Sequence, residues 1–134
     1  MKPRYILIIA ILLTGFISKA QPPETNCLGT VVVAGYDDDS SYGPFNIGFT
    51  FNFFGNNYTQ FYVNTNGMIL FGAGSSESSP ATIPTPAAPN NYIAPFWDDL
   101  VVDPSGKILY TTIGASSNRK LIVQFNNMGF YTHR

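Results

Sequence analysis

Between Asn46 and Phe53 apolar and polar residues alternate without a break. Ile47, Phe49, Phe51 and Phe53 fall on one set of positions, and Asn46, Gly48, Thr50 and Asn52 on the other. Successive side chains of an extended strand point to opposite faces, so this run spells a strand with one aromatic face buried. Past the first twenty residues no stretch carries a helical period. The chain has 8 Tyr, 11 Phe and 1 Trp but only 11% charged residues. That composition suits sheets packed face to face. The expected fold is all-β, an antiparallel β-sandwich.

The rest of the chain divides into short strands and turns. Thr30–Ala34 is a β-branched run and a first strand. Residues 36–44 follow as a loop, and Gly55-Asn56-Asn57 as a turn. Phe61–Gly72 reads as a β-hairpin, with Asn66-Gly67 as a two-residue type I′ loop in which both residues take positive φ. That register sets Thr65 against Met68, Val63 against Leu70 and Phe61 against Gly72, with Asn64 meeting Ile69 and Tyr62 meeting Phe71 on the other face. Residues 73–91 carry Pro80, Pro84, Pro86 and Pro89, which lack the donor that a sheet needs, and form a long loop. Ile93–Val102 is the next expected strand. Asp103-Pro104-Ser105-Gly106 matches a type I turn, and Lys107–Ile113 would pair back across it. After a turn at 114–118, Arg119–Asn126 alternates again, with Leu121, Val123 and Phe125 on one face. Gly129–Arg134 shows no polar tail and reads as the start of another strand. The sandwich is therefore expected to be incomplete at its C-terminus, and the chain to be one part of a longer protein.

The first twenty residues read as a secretory signal peptide: a basic start (Lys2, Arg4), an apolar run from Tyr5 to Ile17, and Ser18 and Ala20 at the small-residue positions before a cut. A membrane anchor is the alternative, but a spanning helix needs about 20 apolar residues, and this run has 13. Residues 21–29 are a polar lead-in and 30–134 the domain. Removal of the signal leaves four basic residues, Lys107, Arg119, Lys120 and Arg134, against eight acids, a net charge of −4. That balance disfavours nucleic acid, whose phosphates demand basic patches, and no membrane span remains. Cys27 is the only cysteine, so no internal disulfide can form. It lies well past the apolar run, and a free or intermolecularly paired thiol is a better reading than lipid attachment.

Four phrases in this order resemble a family: Ile47-Gly-Phe-Thr-Phe-Asn-Phe-Phe-Gly55, Tyr62-Val-Asn-Thr-Asn-Gly-Met-Ile-Leu-Phe-Gly72, Ile93-Ala-Pro-Phe-Trp-Asp-Asp99 and Lys107-Ile-Leu-Tyr110. Together they are similar to the nidogen-like extracellular domain, and closer still to its bacterial relatives at the N-terminus of large secreted surface proteins. The likeness runs from about Pro44 to Phe130. The resemblance implies an extracellular, non-enzymatic module tied to adhesion. It also implies downstream Ig-like repeats and a sorting domain for type IX secretion. It carries over no catalytic residue.

Asp98 and Asp99, placed in a strand, would point to opposite faces and could not share a glycosidase cleft. Calcium takes hard oxygen ligands, and Asp37-Asp38-Asp39, or Asp99 with Asp103, offer them; neither set follows the alternating acidic loop of an EF-hand, and solvated acidic turns explain them as well. Trp97 with Tyr36, Tyr42, Tyr58 and Tyr62 could stack on a sugar, although a lone Trp in an apolar strand is more often core. His133 is the only histidine, which leaves no set for zinc or for a nucleophile–base pair. No G-x-S-x-G elbow is present either. Asn57-Tyr58-Thr59 is a glycosylation sequon.

These readings lead to a secreted, non-catalytic binding or adhesion module with no bound cofactor, engaging an extracellular protein or a glycan. The contacts are expected on loops 36–44, 73–91 and 103–106. An accessory domain of a secreted hydrolase and a carbohydrate-binding module are the alternatives.

Overall fold

The structure, a computed structural model, describes residues 29–131. The signal-peptide reading, Cys27 and His133 lie outside them. No helix occurs among the described residues, and none is long and apolar enough to cross a membrane. The fold is an antiparallel β-sandwich of two four-stranded sheets.

The strands in chain order are β1 (Thr30–Ala34), β2 (Asp37–Asp38), β3 (Ser41–Phe53), β4 (Asn56–Asn64), β5 (Ile69–Leu70), β6 (Tyr92–Ile93), β7 (Leu100–Ile113) and β8 (Lys120–Phe130). One sheet is β3-β4-β5-β6. The other is built on β7. Along one edge of β7 run β2, against Val101 and Val102, and β1, against Lys107–Tyr110; along the other runs β8. The period-two run holds: Phe45, Ile47, Phe49, Phe51 and Phe53 turn inward while their neighbours are exposed. The core joins Ile47, Phe61, Val63 and Phe71 of the first sheet to Val102 and Ile108 of the second. Tyr110 of β7 crosses the gap to meet Phe45 and Phe61, with ring centroids 5.1 and 5.2 Å away. Such rings supply much of the apolar area that a small sandwich buries.

Four local expectations are corrected. Residues 41–44, read as loop, belong to β3. The 61–72 hairpin exists, but its register is Val63 opposite Ile69 and Tyr62 opposite Leu70, one residue away from the expected pairing. Only Gly67 has positive φ (82°), so the turn is a three-residue loop, Thr65-Asn66-Gly67, rather than type I′. It closes with the Asn64 N–H donating to the Met68 carbonyl at 3.1 Å. The reason is tertiary: Asn66 is held by partners far along the chain and does not take the left-handed conformation. Glycine at 67 is required twice, by its φ and because a Cβ would run into the Phe96 carbonyl.

Ile93–Val102 is not one strand. The chain leaves the first sheet after Ile93, crosses through Ala94–Asp99, and joins the second sheet at Leu100. Pro95, which has no N–H, falls in this crossover. Nor does Asp103–Gly106 turn the chain back. β7 runs straight through it, and residues 103–106 bulge opposite Asn127 alone, between the pairs Val102–Met128 and Lys107–Asn126. The bulge absorbs Pro104, which could not donate to a regular ladder. The Gly106 carbonyl accepts the Gly35 N–H at 3.0 Å, and a Cβ on buried Gly106 would meet the Asn127 carbonyl. Lys107–Ile113 therefore pairs with β1 and β8.

Candidate functional site

Asn64, Thr65 and Asn66 sit at the end of β4, and all three are fully buried. Buried polar side chains must be paired to be tolerated, and here the pairing ties four segments together. The Ser40 N–H donates to Thr65 Oγ1 at 3.1 Å, and the Thr65 N–H to the Ser40 carbonyl at 3.0 Å. Asn64 Nδ2 donates to the Ser75 carbonyl (3.1 Å), while its Oδ1 accepts the Met68 N–H (2.9 Å). Asn66 Nδ2 reaches Asp39 Oδ1 (2.9 Å) and the Ser76 carbonyl (3.3 Å), and its Oδ1 accepts the Leu100 N–H (2.9 Å). The turn at 39–40, the start of the long loop and the end of the crossover are thus fastened to one hub.

Above the hub is an acidic rim. Carboxylate oxygens of Asp38, Asp39 and Asp99 lie within 4.8 Å of one another, brought together from β2, the turn after it and the crossover. Burial pushes the Asp38 carboxyl above its usual value, and the negative charges of Asp39 and Asp99 add to the rise. Asp38 Oδ1 is enclosed without a hydrogen-bond partner. Asp37 is committed elsewhere: its two oxygens accept Ser40 Oγ–H (2.9 Å) and the Tyr42 hydroxyl (2.6 Å), and burial together with this bond raises Tyr42. Asp38, Asp39 and Asp99 carry the oxygen chemistry that a hard cation takes. Asp99 therefore meets Asp38 and Asp39, the two carboxylates considered apart from it in the sequence. Asp103 lies in the β7 bulge, its Oδ1 packed where a side chain on Gly129 would go.

Trp97 is neither core nor an open platform. It is half-buried, its indole N–H donates to the Glu77 carbonyl at 3.3 Å, and its ring meets Tyr92 edge-on at 5.5 Å. It pins the long loop to the crossover. Of the four tyrosines considered with it, Tyr58 lies tilted against Phe71, Tyr42 is bound to Asp37, Tyr36 is exposed beside the acidic rim, and Tyr62 is half-buried in β4 opposite Leu70. Phe96, in the crossover, is also exposed. Asp98 and Asp99 lie in this irregular segment rather than in a strand, and the Asp99 N–H donates to the Asp98 carboxylate at 2.8 Å.

The hub residues were legible only as turn formers. Asn-Thr-Asn-Gly between apolar strands signals a reversal, and nothing local says that the side chains point inward. The one usable signal was three consecutive polar residues before Gly67 where a two-residue loop needs fewer.

No curated protein and no solved structure matches the chain. A protein-family model described as NIDO related matches residues 20–134. The Phe-rich strand, the Asn-Gly hairpin and the Pro-Phe-Trp-Asp crossover all fall inside that span, and the chain belongs to the NIDO-related family, an extracellular type of domain.

Proposed function

We propose that this chain is a non-catalytic binding or adhesion module, exported by a leader over residues 1–20 and forming the N-terminal part of a larger surface protein. Its ligand is an extracellular protein or a glycan, and further domains sorted by type IX secretion would attach it to the cell surface. The observation that carries the reading is the buried Asn64–Asn66 hub, which holds three loop segments in one arrangement. Preorganised loops on a rigid sheet are how sandwich modules make contacts at low entropic cost. The surface so presented is acidic, with Asp38, Asp39, Asp98 and Asp99 flanked by exposed Tyr36 and Phe96.

The test is a screen of the full chain against arrays of extracellular proteins and of glycans. It is repeated with a triple variant confined to the rim, Tyr36→Ser, Asp98→Ser and Phe96→Ser. Capture that the variant loses, with its circular dichroism unchanged, supports the reading. Capture indifferent to the variant, or hydrolysis of an arrayed glycan by the chain, overturns it.

A further inference from the structure

The hairpin that joins β3 to β4 carries a residue that folding does not explain. Phe53 pairs with Asn56, so the loop is Phe54 and Gly55, with φ of +47° and +85°. Two positive values in a two-residue loop make a type I′ turn, whose first position favours Asn, Asp or Gly. A bulky side chain is strained there. Burial does not offset the strain, because Phe54 is 88% exposed. Its ring is nevertheless held edge-on to Phe53, with centroids 4.7 Å apart. Strained residues of this kind cluster where a ligand is bound.

Beside that ring opens a cleft of about 410 Å³, lined by Phe54, Ile83, Thr85, Asn90, Asn91 and Tyr92 among others. Small-ligand sites run from about 300 to 1,000 Å³. No carboxylate, amine or guanidinium lines this one. Asn91 is set by its backbone: its φ is +57°, and its carbonyl accepts the Phe71 N–H at 2.8 Å. Among the described residues neither Asn90 nor Asn91 spends its side-chain amide on another protein group. Thr85 Oγ1 accepts the Ala87 N–H at 3.2 Å, which leaves its own proton to donate. The cleft lies far from the acidic rim. β4 begins beside it and ends nine residues later in the Asn64 hub, about 25 Å away.

Aromatic rings interleaved with uncharged amides and a hydroxyl select the occupant. A pyranose presents C–H groups on its faces and hydroxyls around its rim. The C–H faces suit the electron-rich faces of Phe54 and Tyr92, and the hydroxyls suit Thr85, Asn90 and Asn91. A wholly apolar partner would strip water from those polar groups and return no hydrogen bond. An anion would be desolvated with no opposite charge to meet it.

We propose that this cleft binds the end of a neutral glycan, one or two sugar units deep. Phe54 is the stacking platform, and the long loop supplies the groups that read the hydroxyls. The site is independent of whatever the acidic rim engages.

Isothermal titration calorimetry of the full chain tests this with neutral gluco-, manno-, galacto- and xylo-configured tetrasaccharides and with sulfated counterparts. At least one neutral member is expected to bind, with a dissociation constant of about a millimolar, as a single open site allows. Phe54→Asn installs the Asn-Gly pair that the turn prefers, so the melting temperature holds or rises while binding falls by about tenfold or more. Asn90→Ala, at an exposed position, weakens binding as well. The triple rim variant Tyr36→Ser, Asp98→Ser and Phe96→Ser binds the sugar as wild type does. Failure of every neutral member to bind overturns the proposal, as does tighter binding of a sulfated one. Binding that survives Phe54→Asn overturns it too. Binding that only the rim variant loses places the glycan at the acidic rim instead, and overturns this cleft while leaving the rim's role intact.

Discussion

Asn66 shows how much one side chain can carry. It is fully buried, and its amide both donates to Asp39 and Ser76 and accepts the N–H of Leu100. Asn66→Ala strands that buried Leu100 N–H, at a cost of about 1–3 kcal/mol in urea unfolding. Asp38 makes the opposite case. Its raised pKa means that the folded chain holds the proton more tightly than the unfolded chain does. The stability it contributes is therefore complete below the unfolded carboxyl value and is lost as pH rises through the folded one. Asp38→Asn, neutral at every pH, should raise the urea midpoint above wild type at neutral pH. The advantage should vanish by about pH 3, where both proteins are uncharged at this site.

At the scale of elements, the crossover Ala94–Asp99 and the long loop stabilise each other. Trp97 is their contact, through its N–H to Glu77 and its ring on Tyr92. Trp97→Ala should leave both sheets intact and free the loop, so that limited proteolysis cuts within residues 73–91 while far-UV circular dichroism stays unchanged. Global unfolding would instead mean that the ring belongs to the core. β7 is the other organising element. It takes β1 and β2 on one edge and β8 on the other, and it can do so only because its 103–106 bulge lets Pro104 avoid the ladder.

At the scale of the molecule, aromatic side chains bridge the two sheets. Phe61 is fully buried, touches both Phe45 and Tyr110, and so bridges the layers. Phe61→Ala opens a cavity that neither sheet can close. It is expected to cost about 3–5 kcal/mol, enough to unfold much of a marginally stable domain, as read by thermal melting.

The sequence by itself determined the all-β class and the inward faces of the alternating strands. The pleat is a local property, so the alternation of β3 and of Leu121, Val123 and Phe125 in β8 could be read directly. Thr30–Ala34 was legible from its β-branched residues, and the place of the hairpin from Asn66-Gly67 between apolar strands. The tertiary structure alone decided which sheet each segment joins. Ile93–Val102 looks continuous, yet its halves find backbone partners in different sheets. Asp103–Gly106 carries every local mark of a turn, but β1 and β8 on either side hold Lys107–Ile113 in line with Leu100–Val102, and the turn signal becomes a bulge. The hairpin slipped by one residue because Asn66 answers to Asp39, Ser76 and Leu100 rather than to its neighbours. The acidic rim joins Asp39 to Asp99, sixty residues apart. Hydrogen-bond partners at such separations leave no trace in local composition, which is why the candidate site could be seen only once the sheets had closed on each other.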